Sequence, residues 1–221
     1  MLYFAAILVA IWSIYLSCHV QSTFKKWSKE PTSRYMTGAE VARQILMRNG
    51  ITDVPISVTP GVLTDHYDPT RKALFLSDDV ANSSSIGAVA VAAHECGHAI
   101  QHNQDYGFLI FRNKMVPVAN IGSSAGIWLC ILGLFLGGIG GYLVPIGIGL
   151  FAFAVLFHVI TLPVEFNASR RAMINLEEGG FLMADEKRGA QKVLKAAAMT
   201  YVAAALASVI QLLRLIGISR D

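Results

Sequence analysis

Three observations predict a mainly α-helical membrane protein with a small β-sheet. Four apolar stretches are each long enough to cross a bilayer, short strand-like segments sit between the first two, and one H-E-x-x-H pattern follows those segments.

Composition supports the first observation. Of 221 residues, 54% are hydrophobic and only 15% charged, with a mean hydropathy of +0.50, against about 25% charged residues in ordinary soluble domains. The lipid bilayer is therefore an expected partner. A net charge of +3, dispersed along the chain, gives no footprint for nucleic acid. Cys18, Cys96 and Cys130 do not form a disulfide framework, which fits a reducing, intracellular setting.

Residues 1–20 are apolar apart from Ser13, Ser17 and His19, about the length of one crossing. Lys25, Lys26 and Lys29 follow the run rather than precede it, so an N-terminal transmembrane anchor is expected instead of a cleaved leader. Residues 21–115 are expected to form the catalytic part. Within them, Thr37-Gly38-Ala39-Glu40 reads as a capping box, and Val41, Ala42, Ile45 and Leu46 give one apolar face of a short helix. Next, Pro55–Val58, Gly61–Thr64 and Ala73–Ser77 read as strands, separated by turns at Pro60-Gly61 and at His66–Thr70. Ala73, Leu74, Phe75 and Leu76 are the expected edge strand, able to pair with an extended peptide through its backbone.

A helix is expected from Asn82 onward, opened by hydroxyl-bearing residues and continued by small apolar ones. It carries His94-Glu95-Cys96-Gly97-His98. One helical turn separates the two histidines, so both imidazoles project from one face at a spacing suited to a single tetrahedral zinc. Glu95 belongs beside the metal, where a carboxylate can take a proton from a water whose pKa the zinc has lowered to about 7. The plainer alternative makes His94 and His98 hydrogen-bonded core histidines. His102 continues the series, but a straight helix carries it about 12 Å from His94, so a supporting or solvated role is expected.

Residues 116–163 form one long apolar run with Gly137, Gly138, Gly140 and Gly141 at its centre, which predicts a transmembrane hairpin. A polar segment at 164–195 and an alanine-rich run at 196–221, a fourth probable span, complete the chain. The hairpin returns the chain to the side it left and delivers Glu165 towards the motif helix, which makes Glu165 the candidate third ligand. A surface carboxylate paired with Arg170 or Arg171 is the alternative, and Glu177, Glu178 and Glu186 are weaker candidates.

His94-Glu95-Cys96-Gly97-His98-Ala99-Ile100-Gln101, the hairpin, and Leu162-Pro163-Val164-Glu165-Phe166-Asn167-Ala168-Ser169-Arg170-Arg171 together resemble the YugP-like neutral zinc metallopeptidases over nearly the whole chain. The layout is also similar to the HtpX and CAAX-prenyl membrane proteases. That resemblance implies a zincin-like (gluzincin) catalytic unit fused to about four transmembrane helices, with one Zn2+ held by His94, His98 and Glu165 and with Glu95 as general base. Ser169 stands where the broader pattern has Asp, so the hydrogen bonding around the site is expected to differ. Protein or peptide substrates, membrane-embedded or membrane-proximal, are the implied partners. His66, Tyr67 and Arg171 are candidate stabilisers of the oxyanion that peptide hydrolysis generates.

Two other classes fit parts of the pattern. A membrane scaffold or binding protein with a structural metal would not need Glu95, and a transporter would need more polar groups in its spans than His158 and Thr161. Basic residues are concentrated in 21–115 and 165–195 and absent from the hairpin turn, which predicts a multi-pass plasma-membrane protein with both termini outside and the site facing the cytoplasm.

Overall fold

The structure is a computed structural model that describes residues 2–219. Met1, Arg220 and Asp221, at the ends of the two expected terminal segments, lie outside the described residues. The chain is mostly helical: α1 (Leu2–Trp27), α2 (Gly38–Arg48), β1 (Ile56–Thr59), β2 (His66–Asp68), β3 (Ala73–Ser77), α3 (Asp78–Ala81), α4 (Ile86–Asn103), α5 (Gly107–Phe135), α6 (Gly140–Glu178) and α7 (Ala184–Ile218). These residues divide into two compact units, and α1, α6 and α7 contribute to both.

One unit holds the chain up to Leu16, Gly107–Pro163, and the chain from Thr200. Helices α1, α5, α6 and α7 are each long and apolar enough to cross a membrane, and only 11 to 28% of each apolar window is buried. Phe4, Ile7, Ile11, Trp128 and Phe153 are exposed large side chains of the kind a bilayer covers. Between α5 and α6 the contacts are made by small residues. A Cβ on Gly126 would lie 2.8 Å from the Gly147 carbonyl oxygen, so the two backbones approach as closely as glycine allows. The expected hairpin turn is a 3-10 turn at Gly137–Ile139.

The second unit holds Ser17–Tyr106 and Val164–Met199. Thr37 caps α2 through the expected capping box, its hydroxyl accepting from the Glu40 N–H while the Glu40 carboxylate accepts from the Thr37 N–H at 2.8 Å. Val41, Ile45 and Leu46 of α2, Leu74 and Leu76 of β3, Val80, Val89, Ile100 and Leu176 form the core around α4. This core surrounds the motif helix, so the histidines are held by an element packed on several sides.

The sheet departs from expectation in two ways. Its order is β1-β3-β2, with β3 parallel to β1 and antiparallel to β2. Ala73, Leu74, Phe75 and Leu76 are therefore central rather than an edge: Leu74 pairs with Ile56 on one side and Tyr67 on the other. The near-continuous apolar character of Ala73–Leu76 is what a strand covered on both faces requires, and the same run gives no indication of its neighbours. The second strand in chain order lies at His66–Asp68, where a turn was expected, and Gly61–Thr64 is the turn. Gly61 and Leu63 adopt positive φ, 105° and 56°, which a strand does not permit. Asp68 ends β2 by accepting from the N–H groups of Thr70 and Arg71.

Candidate metal centre

Helix α4 begins at Ser85, whose hydroxyl accepts from the Ala88 N–H at 3.2 Å. Ala88, Ala90, Ala92 and Ala93 are fully buried, and their small side chains let neighbouring elements close around the helix before His94 is reached. His94 and His98 then project together, with ring centroids 4.8 Å apart and edge to face.

Glu165 comes from α6 and is 2% exposed. Its Oε2 lies 3.3 Å from His94 Nε2 and 3.7 Å from His98 Nε2, and the three potential ligand atoms lie within 4.8 Å of one another. Bonds of ~2.0–2.1 Å at tetrahedral angles separate ligand atoms by about 3.4 Å, so this donor set fits a zinc ion. A glycine makes the approach of the two helices possible: a Cβ on Gly97 would lie 2.5 Å from the Ala168 carbonyl oxygen of α6.

The far side of each imidazole is also occupied. Ser169 Oγ lies 3.2 Å from His94 Nδ1, and Gln101 Oε1 lies 3.0 Å from His98 Nδ1. Both rings thus turn Nε2 towards Glu165. The Gln101 amide donates to the Val164 carbonyl at 2.8 Å and to Asn167 Oδ1 at 2.9 Å, tying α4 to the turn of α6 that carries Glu165.

Glu95 is 8% exposed, and its Oε2 accepts from the backbone N–H of Tyr67 at 3.0 Å. Burial pushes its carboxyl above the usual range, with His94 and His98 partly opposing the shift. That bond also identifies the relevant sheet edge. Tyr67 pairs with Leu74 but sends its N–H outward to Glu95, so the outer edge of β2 is the one beside the motif.

The remaining candidates are distributed as follows. The Tyr67 hydroxyl lies 2.8 Å from His102 Nδ1, which gives His102 its supporting contact. Burial, together with Asp53 and Asp68, pushes the Tyr67 phenol up to about 12. His66 stacks on Phe75 with its Nδ1 2.8 Å from the Thr64 carbonyl oxygen. Arg171 donates to Asn167 Oδ1 and to Gln104 Oε1. Glu186 accepts from Ser33 and from the Met183 N–H, and Glu177 pairs with Lys187 at 3.8 Å, so neither belongs to the cluster. Burial pushes the Cys96 thiol up, keeping it protonated within the motif.

The sequence profile of the family described as "Putative neutral zinc metallopeptidase" matches residues 2–220. The chain belongs to this family. It is also 48% identical over 214 residues, 97% of this chain and 93% of the relative, to the "Putative membrane protease YugP" of Bacillus subtilis (strain 168). No solved structure matches it. Membership of the neutral zinc metallopeptidase family implies zinc, and His94, His98 and Glu165 are a group that could hold it. The four apolar helices, together with the relationship to a protein named as a putative membrane protease, point to a membrane protein. Ser169, expected to alter the hydrogen bonding around the site, meets His94, whereas the contacts of Gln101, three residues beyond His98, and of Asn167, two beyond Glu165, were not expected.

Proposed function

We propose that the chain is a membrane-bound zinc metalloendopeptidase with a zincin-like (gluzincin) site, one Zn2+ being held by His94, His98 and Glu165. The observation that carries this reading is the convergence of those three side chains from α4 and α6 next to the buried Glu95.

When bound, zinc supplies a Lewis acid that lowers the pKa of water and polarises a carbonyl. Glu95 takes the proton of the attacking water and passes it to the departing amine. The Tyr67 N–H holds one carboxylate oxygen of Glu95, and burial favours the protonated form that must exist between those two transfers. β2 is the edge strand on the Glu95 side, so an extended peptide docks alongside it there, replacing the expected role of Ala73–Leu76. A polar cavity of about 220 Å³, lined by Tyr67, His102, Asp53, Lys72, Asn103 and Asp105 among others, offers space for one substrate side chain against Tyr67. Tyr67 is the candidate oxyanion donor beside Glu95, its backbone N–H being bonded to that carboxylate, and its hydroxyl would exchange His102 Nδ1 for the oxyanion.

The distribution of Lys and Arg supports a plasma-membrane protein whose site faces the cytoplasm, acting on membrane-embedded or membrane-proximal chains. Cleavage of casein by purified protein, compared with Glu95→Gln, tests the mechanism. The variant is expected to keep zinc and lose about 10²-fold or more in turnover. Wild-type activity in the variant would contradict the proposed base, and failure of zinc-loaded wild type to cleave would favour a metal-binding scaffold.

A further inference from the structure

We propose that Gln101 is a positioning residue for the metal site: it fixes His98 as the Nδ1–H tautomer and so presents Nε2 as the ligating nitrogen. This deepens the proposed function and rests on its assignment of His94, His98 and Glu165 as zinc ligands.

The direction of every hydrogen bond behind His98 follows from groups that have no choice. A backbone carbonyl only accepts, so the Gln101 atom 2.8 Å from the Val164 oxygen is the amide nitrogen. An arginine only donates, so the Asn167 atom that receives Arg171 Nε at 2.7 Å is Oδ1. Gln101 Nε2 is 2.9 Å from that same oxygen, and both of its hydrogens are thereby used. The remaining Gln101 atom, Oε1, is an acceptor only, and at 3.0 Å from His98 Nδ1 it requires the proton to be on that nitrogen.

Reversing the Gln101 amide would set an oxygen against both the Val164 carbonyl and Asn167 Oδ1 and leave two acceptors facing it. Gln101 is 0% exposed, so solvent water does not compete for these bonds. Val164 immediately precedes Glu165, so the same amide that selects the His98 tautomer also anchors the turn bearing the third ligand. His94 has no such lock. Its Nδ1 faces the Ser169 hydroxyl at 3.2 Å, and a hydroxyl either donates or accepts.

The test combines nitrogen-15 NMR of histidine-labelled, metal-free protein in detergent with zinc affinity measured by chelator competition. Wild type is expected to show His98 protonated at Nδ1 and to bind zinc. Gln101→Met, which keeps the bulk but has no acceptor oxygen for the imidazole, should lose that signature and bind zinc about 10- to 100-fold more weakly. If Gln101→Met does not fold, the wild-type spectrum still decides: His98 carrying a proton on Nε2 and none on Nδ1 overturns the proposal. An unchanged tautomer and unchanged zinc affinity in folded Gln101→Met overturns it while leaving the ligand set standing. Failure of wild type to bind zinc overturns the ligand set and this proposal with it.

Discussion

Replacing Gly97 by Ala would separate metal binding from folding. The added Cβ would lie 2.5 Å from the Ala168 carbonyl oxygen and 3.0 Å from its carbon, whereas ordinary van der Waals contact begins at 3.4 Å. Since the obstacle is helix backbone, α6 must recede from α4 by about 0.9 Å, the difference between those two oxygen distances. Ala168 is one turn beyond Glu165 in the same helix, so the carboxylate moves with it. Zinc–ligand distances tolerate only about ±0.2 Å, so the displacement is several times what the site accommodates. Stability responds less. Overpacking costs about 1–3 kcal/mol, and replacing a mid-helix glycine by alanine returns about 0.8–1.0 kcal/mol, leaving a net loss of at most about 2 kcal/mol. Zinc affinity is expected to fall by 10-fold or more and peptide cleavage by about 10²-fold, the scale of a 1 Å misplacement. Chelator competition and thermal unfolding of the metal-free variant measure the two effects separately. Wild-type zinc affinity in a folded Gly97→Ala protein would refute the argument that this glycine sets the ligand geometry.

Two further outcomes follow from the site and the charge distribution. With the Tyr67 phenol pushed up to about 12 it stays protonated through neutral and mildly alkaline pH, so Tyr67→Phe should lower turnover by up to about 10²-fold by the same factor at each pH; a pH–rate profile whose alkaline limb moves in the variant contradicts this. For topology, cysteines introduced one at a time at Gly138, Arg71 and Glu178, with the native cysteines removed, should react with an impermeant reagent outside whole cells only at Gly138. Gly138 has open space around a Cβ, whereas at Gly140 a Cβ would run into the Gly133 carbonyl. Labelling at Arg71 and Glu178 with Gly138 protected would reverse the orientation.

The parts of this structure that were readable in sequence are those with local causes. The Thr37–Glu40 capping box, the apolar face of α2, the spacing of His94 and His98, and the glycine-centred hairpin are each decided by residues within a few positions of one another. Strand order is not local. Ala73–Ser77 was correct as a strand, but its central place depends on pairing with Ile56–Thr59 and His66–Asp68, partners that its own residues do not specify. The exchange of strand and turn between Gly61–Thr64 and His66–Asp68 has a similar origin. The alternation of His66-Tyr67-Asp68 is too short to stand out, and it forms a strand because β3 and Glu95 accept and fix its backbone. Glu165 was reached through topology, since a returning hairpin brings distant residues together. Gln101 and Asn167 escaped notice because a buried amide has no distinctive pattern until its partners are known.

Zinc content of Glu165→Ala is the most direct measure of the central claim that α4 and α6 jointly hold one metal ion. Elemental analysis of purified wild type is expected to give one zinc per chain. Glu165→Ala should lose it as completely as His94→Ala or His98→Ala does, while Glu177→Ala retains it. A full complement of zinc in Glu165→Ala would contradict the claim and leave Glu165 as a buried carboxylate paired with two histidines.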